Sequence, residues 1–239
     1  MSEQALAEIA ATPISTIREV ISVMQRIDEQ LTDEDGLKWF NLLYLLVTKA
    51  VLENPPPQGW ADSQWLARLD VIFAGLYFAA IGNRVSNPAS VPKSWQVLFN
   101  ARHRPHIMRV QFALCGMNAH INHDLQFAIV QTCREQNIAP GQNSPQHQDF
   151  EYVNNILEAA EPQALRHLAV GKAGMIEESL GRLDNVLAMW GVRKARDTAW
   201  ANSEILWHFS NNPFYRKMHI QAVDNFTGFA GRGLIIPIG

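Results

Sequence analysis

Residues 109–133 read RVQFALCGMNAHINHDLQFAIVQTC, and this stretch decides the fold. Apolar residues occur on nearly every side of a helix with this sequence, which is typical of a helix buried by its neighbours. The helical pattern runs from about residue 106 to residue 136 and is the longest in the chain. A buried helix of that length needs other helices to cover it. We therefore predict an all-α bundle around a buried central helix.

Segments with apolar residues three and four positions apart lie on both sides of this helix, separated by clusters of Pro and Gly. They predict helices over residues 14–31, 33–52, 62–81, 93–101, 148–158, 162–190 and 192–211. Residues 226–239 read FTGFAGRGLIIPIG, and glycine is a poor helix former. For this Gly-rich C-terminal stretch we expect an extended arm that packs back on the bundle.

The chain has 239 residues, of which 47% are hydrophobic and 18% charged, so it is long and apolar enough for a globular domain and is not a disordered chain. We expect one domain over residues 1–239, with flexibility allowed for residues 1 to about 12. The loop 139–145 is the place where a second domain would begin.

Composition also limits the partners and the location of the protein. Lys and Arg number 20 and Asp and Glu 23, which gives a net charge of −3 and argues against nucleic acid as a partner. The N-terminal residues lack the basic start and the following apolar run that are typical of a signal peptide. No run reaches the roughly 20 apolar residues that a membrane span needs. We expect no membrane span and a cytoplasmic location.

Polar side chains interrupt the apolar central helix within a few residues. His120 and Asp124 lie about 40° apart on one face, and Asn118 and Asn122 form a similar pair on the nearly opposite face. Three interpretations stay open. The first is a His–carboxylate pair for acid–base catalysis, the second a set of metal ligands on one helical face, and the third a buried hydrogen-bond network that holds helices in register.

Other apolar helices carry polar groups as well. Asn41 and Tyr44 lie three positions apart in the segment 33–52, Asp70 and Tyr77 lie on one face of the segment 62–81, and Glu204 lies among tryptophans in the segment 192–211. Each of these groups could instead bond locally, cap a helix or face solvent. If the polar faces converge, the bundle encloses a polar pocket of the kind in which helical bundles build catalytic and metal sites.

Four stretches of the chain resemble one protein family: LARLDVIFAGLYF at 66–78, QFALCGMNAHINHDL at 111–125, AWANSEILW at 199–207 and AGRGL at 230–234. The family is all-helical, occurs in bacteria and fungi, and is catalogued largely as a domain of unknown function. The resemblance covers about residues 37–234, and the string G-M-N-A-H-I-N-x-D-L is specific to the family. His123 occupies the variable position of that string and is not part of the predicted site.

The resemblance implies an all-helical fold and a set of motif positions in this chain. Those positions are Asp70, Asn118, His120, Asn122, Asp124, Trp200 and Asn202. The chain is similar to proteins found beside biosynthetic genes for polyketide-like metabolites. That similarity implies a tailoring or cyclising enzyme.

Together these features predict an enzyme that uses acid–base chemistry on a small, fairly apolar organic substrate, of the cyclase, lactonising, hydrolytic or isomerase type. His120, oriented by Asp124, is the expected general base or acid, and Asp70 is a second acid–base group. The residues expected to hold the substrate are Asn118, Asn122, Tyr44, Asn41, Tyr77, Trp200, Asn202 and Glu204.

Two alternatives remain at this stage. A metal-dependent hydrolase would bind a divalent ion such as Zn²⁺, Mn²⁺ or Fe²⁺ through His120, Asp124 and Asp70. A non-catalytic protein would use the same pocket to bind a ligand. Apart from such a metal ion we expect no cofactor, and the sequence allows a homodimer.

Overall fold

The computed structural model describes residues 2–169 and 191–237 of the chain. Within those residues the chain forms helices and no strand, so the predicted all-α bundle is confirmed. The helices are α1 (Glu3–Ala10), α2 (Ile17–Gln30), α3 (Gly36–Glu53), α4 (Ser63–Ser86), α5 (Lys93–Ala101), α6 (Arg109–Ala119), α7 (Leu125–Glu135), α8 (Pro145–Ala169), α9 (Val192–His208) and α10 (Pro213–Leu234).

Short polar side chains set the starts of several of these helices. Thr16 accepts a hydrogen bond from the backbone of Glu19, whose carboxylate in turn accepts from the backbone of Thr16, so α2 begins with a complete capping box. Asp35 caps α3 and Asp62 caps α4 by accepting backbone N–H groups of the first turn. Asn212 caps α10 in the same way.

The central helix consists of α6 and α7, which one π-helical turn, His120–Asp124, joins without a break. All residues from Val110 to His120 are buried, as the apolar sequence predicts. On α3, the ring of Phe40 lies so close to Gly116 that a Cβ atom there would overlap it. We predicted an uninterrupted α-helix. The π turn instead widens the helix at its polar cluster, and such turns are frequent at functional sites.

The prediction of an extended C-terminal arm is wrong for residues 226–234, because α10 continues to Leu234. A Cβ atom on Gly228 would lie 3.4 Å from Lys93 on α5, and one on Gly231 would lie 3.3 Å from Asn118 Nδ2 on α6. The glycines therefore allow close approach of neighbouring helices. That packing offsets the roughly 1 kcal/mol that glycine costs in a helix relative to alanine.

Two other segments also differ from expectation. We predicted two helices here, but α8 continues through Pro162. The helix therefore tolerates the loss of one backbone hydrogen bond, because proline has no N–H to donate. The remainder of the predicted helix 162–190, from residue 170 onward, lies outside the described residues. Near the N-terminus, where the sequence allowed flexibility, α1 packs against α4 and buries Leu6 and Ala10.

α4 combines length with high hydropathy. An 18-residue window within it has a mean hydropathy of 1.5, so by length and composition alone it is able to cross a membrane. In the bundle 56% of that window is buried against other helices. Core helices meet the same criterion, so the hydropathy of α4 is weak evidence for a membrane span. In this bundle α4 brings Asp70 and Phe73 to the central helix.

Candidate active site

His120 lies at the start of the π turn and is fully buried. The ring of Phe73 on α4 stacks on the imidazole at 3.6 Å between centroids with an angle of 4° between planes, and the ring of Tyr44 on α3 meets it edge-on at 4.6 Å. These aromatic neighbours fix the plane of the imidazole. Within that plane, His120 Nδ1 lies 3.0 Å from Asp124 Oδ2, so the predicted His–carboxylate pair is formed.

Asp124 is held by two further donors. Trp95 on α5 donates its indole N–H to Oδ2 at 2.8 Å, and His123 Nδ1 lies 2.7 Å from Oδ1. Burial by itself would raise the pKa of Asp124, but the hydrogen bonds from His120 and His123 outweigh it, so the pKa lies below its usual value. The carboxyl group is therefore ionised near neutral pH and accepts hydrogen bonds through both oxygens.

The protonation of His120 follows from these contacts. Burial lowers the pKa of the imidazole more than the nearby carboxylate of Asp124 raises it. Near pH 7 the ring is therefore neutral and carries one proton. A carboxylate oxygen can only accept, so that proton is on Nδ1, which leaves Nε2 as an unprotonated acceptor.

The Nε2 atom of His120 is buried and has no hydrogen-bond partner among residues 2–169 and 191–237. A buried acceptor without a partner costs about 1–3 kcal/mol, and such atoms in folded proteins commonly bind a water or a ligand. The atom belongs to a side chain that lines a cavity between the helices. His120 thus has the features of a general base, with one nitrogen held by a carboxylate and the other free to accept a proton.

The cavity has a volume of about 50 Å³. Its lining residues come from α3, α4, the central helix, α8 and α9. Its lining is mostly apolar, with Val47, Val51, Phe73, Met117, Ile121, Val153 and Leu157, and its polar members are Tyr44, Thr48, Asp70, His120 and Arg196. At about 10–15 Å³ per water it has room for a few water molecules, or for the reactive end of a small molecule.

Asp70 lines the same cavity, so the structure brings it together with His120, as the sequence analysis required. Its carboxyl group forms no hydrogen bond to any residue that the structure describes. Burial raises the pKa of Asp70 to about 7, although the positive charge of Arg196 acts in the opposite direction. Near neutral pH the cavity therefore holds an unprotonated imidazole nitrogen and a carboxyl group that is able to donate a proton.

Arg196 on α9 supplies the positive charge of the cavity. Its Nε donates to Asn154 Oδ1 at 2.7 Å, its Nη2 donates to the backbone oxygen of Phe150 at 2.8 Å, and its guanidinium lies over the Phe150 ring. Burial lowers the pKa of Arg196 to about 10, which still leaves it charged near neutral pH. α8 thus holds Arg196 in place beside Asp70.

Tyr44 completes the polar side of the cavity. Its hydroxyl forms no hydrogen bond within the described part of the chain, while Thr48 on the same helix bonds back to the Tyr44 backbone oxygen at 2.8 Å. Burial, together with the negative charges of Asp70 and Asp124, raises the pKa of Tyr44 well above its usual value. The phenol therefore keeps its proton and is able to donate it in a hydrogen bond to an oxygen in the cavity.

Asn118 and Asn122 do not line this cavity. Asn118 Nδ2 donates to the backbone oxygen of Thr227 on α10 at 2.9 Å, and Asn122 Nδ2 donates to Asn118 Oδ1 at 3.0 Å. They lie on the opposite face of the central helix from His120, as the helical spacing requires. Here the interpretation as a structural network, which the sequence left open, fits the geometry, because the pair ties the central helix to α10.

Asn41 and Tyr77 likewise form a network away from the cavity. Asn41 Nδ2 donates to the backbone oxygen of Met24 at 3.0 Å and its Oδ1 accepts from the Tyr77 hydroxyl at 3.2 Å. These bonds join α2, α3 and α4 in the core. Both side chains are fully buried and already have partners, so they are not placed to hold a ligand in the cavity.

The candidates on α9 are also separate from the cavity lining. Trp200 is buried against Trp65 and Phe150, and its indole N–H donates to Glu204 at 3.3 Å. Asn202 is half-buried and does not line the cavity either. The residue that α9 contributes to the cavity is Arg196, which the sequence analysis did not select.

The predicted metal-ligand set is not assembled. Among the residues that the structure describes, no group of three or more His, Cys, Asp and Glu side chains could hold a metal ion. The physical reason is that His120 Nδ1 and the two carboxylate oxygens of Asp124 are engaged with each other and with Trp95 and His123. They are therefore not directed together with Asp70 at one point.

Sequence reasoning missed three residues that define the site. Trp95 and His123 hold Asp124, and Arg196 charges the cavity. His123 was set aside because it occupies a variable position of the family string. A signal for Arg196 did exist, because a carboxyl on an apolar helix, such as Asp70, favours a nearby cation, but many arginines of the chain fit that condition. Nothing local in the sequence identifies Trp95 as a partner of Asp124.

Comparisons with known proteins give a family and no activity. A family model described as "Family of unknown function (DUF5995)" matches residues 17–237 of the chain. No protein of curated function and no solved structure matches the chain. The function must therefore be inferred from the geometry of the site.

Proposed function

Because the chain belongs to the DUF5995 family, whose function is unknown, we propose from the site itself that the protein is an acid–base enzyme acting on a small carbonyl compound. The observation that carries the proposal is the free, buried Nε2 atom of His120 beside the cavity that Asp70 also lines. An imidazole base and a carboxyl acid whose pKa is raised to about 7 form a pair matched to proton transfer near neutral pH.

In this proposal His120 Nε2 removes a proton from the substrate or from a water molecule. The negative charge of Asp124, held by Trp95 and His123, stabilises the imidazolium that forms. Because the carboxylate is fixed by several hydrogen bonds, it needs little rearrangement when the charge develops. Asp124 does not line the cavity and acts by positioning and stabilising the base.

Asp70 is the proposed acid. In its protonated form it donates to the oxygen on which negative charge develops or to the leaving oxygen. The phenol of Tyr44 and the guanidinium of Arg196 line the same cavity and provide hydrogen-bond donors for that oxygen. The mostly apolar remainder of the lining favours a substrate with a single oxygen-containing group on a small hydrocarbon part. Lactone opening or closure, cyclisation by an enolate, and isomerisation all require this kind of proton transfer.

The proposal is tested by proton transfer to small carbonyl compounds, for which the natural substrate need not be known. Acetone in D₂O reports removal of a proton next to a carbonyl as loss of the methyl signal in ¹H NMR. γ-Butyrolactone reports ring opening in the same experiment. We expect the protein to accelerate one of these reactions and His120→Gln to lower the rate by about 10²–10⁴-fold.

His208→Gln is the matched control, because His208 is an exposed histidine at the end of α9. It should retain the wild-type rate, while Asp70→Asn should reduce it as His120→Gln does. If His120→Gln and His208→Gln have equal rates while both proteins keep the wild-type far-UV circular dichroism, the catalytic role of His120 is wrong.

Ligand binding without catalysis is the second candidate, and the close aromatic packing around His120 favours it. The same experiment distinguishes it. A chemical-shift change of His120 on addition of acetone or γ-butyrolactone, with no turnover above the rate of the His120→Gln variant, would support a binding protein.

A further inference from the structure

Large exposed apolar side chains are concentrated on α10. In the described part of the chain, those that are more than half exposed lie on this helix or directly after it, with exposed fractions of 52 to 73%. They are Phe214, Tyr215, Met218, Phe226, Phe229 and Ile236. Contiguous exposed apolar surface of this kind usually marks an interaction site.

The large exposed apolar side chains of α10 share one side of the helix. At about 100° per residue, Phe214, Met218, Ala222, Phe226 and Phe229 fall within about 120° of its circumference. We call these five residues the α10 stripe. The opposite side of α10 carries the residues that pack on the bundle, among them Thr227, Gly228 and Gly231. From His219 onward α10 is therefore covered on one side, and no helix that the structure describes covers the other side.

The α10 stripe has nearly the same spacing when read in either direction. Its members are separated by four, four, four and three positions, with the small exposed Ala222 in the middle. In an antiparallel pair of such helices, Ala222 lies opposite Ala222 of the partner subunit. Met218 then meets Phe226 of the partner subunit, and Phe214 meets Phe229 of the partner subunit. A two-fold axis requires this self-complementarity.

We propose that the α10 stripe binds a second copy of this chain, with α10 antiparallel to its counterpart and the two-fold axis at Ala222. The small side chain at the axis lets the two helices approach closely, and the larger residues on either side fill the space between them.

The exposed area approaches that of a dimer interface. At roughly 200 Å² for a whole aromatic residue, the three phenylalanines of the α10 stripe present on the order of 400 Å². Met218, together with Tyr215 and Ile236 next to the stripe, brings this to on the order of 700 Å² per copy, somewhat below the about 800 Å² per partner of a standard interface.

Charge favours the antiparallel arrangement over the parallel one. Arg232 lies near the end of α10, on the same side of the helix as the α10 stripe. A parallel pair would place its two copies beside each other, which is unfavourable. In an antiparallel pair the two copies of Arg232 lie at opposite ends of the interface.

The mass of the full chain in solution tests the proposal. Light scattering or sedimentation at about 1 to about 100 μM should give twice the 26.9 kDa of the chain. Ala222→Arg and Ala222→Glu should each give the mass of one chain, because each places like charges at the axis. A mixture of the two variants should again give twice that mass, since opposite charges then meet there. Both substitutions are at an exposed helix position, so wild-type circular dichroism is expected.

A cysteine pair tests the register with a matched control. Ala222→Cys should form an intersubunit disulfide on mild oxidation, because its two copies meet at the two-fold axis. The native Cys115 and Cys133 are buried and should not form competing cross-links. Phe214→Cys should not, since its copies in an antiparallel pair lie about 24 Å apart along the axis. Equal cross-linking of both variants would indicate parallel helices and overturn the proposal.

Three other results would also overturn it. The first is a wild-type protein that stays monomeric over the whole concentration range. The second is a dimer that Ala222→Arg leaves intact. The third is a monomer that sediments with phosphatidylserine-containing vesicles and not with pure phosphatidylcholine vesicles, which would assign the aromatic and basic residues of α10 to an anionic membrane surface.

Discussion

Replacement of Asp70 by Asn should stabilise the protein relative to wild type, and the difference in the free energy of unfolding should grow as the pH rises. Burial raises the pKa of Asp70 in the folded state to about 7, from 3.8 for an exposed group. The folded protein therefore retains this proton to about pH 7, whereas the unfolded chain releases it near pH 3.8. The contribution of Asp70 to folding is most favourable in acid and is lost as the pH rises between these two values.

The size of the effect follows from the two pKa values. Each pH unit between them corresponds to about 1.4 kcal/mol, so relative to strongly acidic solution the titration of Asp70 lowers the free energy of unfolding by about 1.6 kcal/mol at pH 5, where Asp70 is ionised only in the unfolded chain, and by about 4 kcal/mol at pH 8. Asparagine carries no charge and avoids this cost. The stability of Asp70→Asn relative to wild type should therefore increase by about 1.4 kcal/mol per pH unit from about pH 4 to about pH 7 and then become constant.

Urea unfolding of wild type and Asp70→Asn at pH 4, 5, 6, 7 and 8 measures this difference. The titrations of all other groups occur in both proteins and cancel from the difference. Asp197→Asn is the control, because it makes the same chemical change at an exposed carboxylate of α9. The increase with pH should be larger for Asp70→Asn than for Asp197→Asn. A difference for Asp70→Asn that does not depend on pH, or that rises no more than that of Asp197→Asn, would show that Asp70 is not desolvated in the folded protein, and the assignment of Asp70 as an acid near pH 7 would be refuted.

Trp95→Phe removes the indole donor to Asp124 and should lower the free energy of unfolding at pH 7 by about 1.5–3 kcal/mol, the range for a hydrogen bond to a charged group. Because the pKa of Asp124 is lowered in the folded state, the carboxylate stays ionised near neutral pH, so the loss should be nearly the same at pH 7 and pH 6, and urea unfolding at these two pH values checks it. Gly116→Ala should destabilise the protein by about 1–3 kcal/mol, because the new Cβ atom would overlap the ring of Phe40. Gly75→Ala, in the interior of α4 with no neighbouring atom within 4 Å of the new Cβ, should raise stability by about 0.5–1 kcal/mol, and urea unfolding measures both glycine variants.

The central helix and its His–carboxylate pair are predictable because both depend on local sequence. Apolar residues on nearly every side of the helix 109–133 predict that it is buried. His120 and Asp124 are four positions apart, which places them within hydrogen-bond reach. The π turn between α6 and α7 is not predictable in this way. It depends on how the neighbouring helices pack around the polar cluster, and the periodicity of a single helix does not contain that information.

The identity of the cavity residues depends on tertiary packing. Asp70 and Tyr44 reach the cavity, whereas Asn41 and Tyr77, from the same helices, bond to each other on another side of the core. Helical periodicity assigns residues to faces but does not show which faces meet. Arg196 illustrates the same limit, because it lies among several charged residues of α9 and is buried only through its contacts with α8.

The C-terminal helix shows how packing can override propensity. Glycines at 228, 231 and 233 predict a non-helical segment when the sequence is read alone. In the bundle, Gly228 and Gly231 allow α10 to approach α5 and α6, and Thr227 accepts a hydrogen bond from Asn118 through its backbone oxygen. Asn118, a candidate for substrate binding, is therefore one of the residues that fix α10, and Asn122 supports it.

The protonation of His120 tests the account most directly, because the proposed chemistry requires an unprotonated Nε2 held opposite Asp124. Long-range ¹H–¹⁵N NMR of the full chain with ¹⁵N-labelled histidine distinguishes the two ring nitrogens, and His120→Gln assigns the signals. We predict that at pH 7 His120 is neutral with its proton on Nδ1 and that it protonates only below the usual pKa of 6.5. A proton on Nε2, or a charged imidazolium at pH 7, would contradict the account.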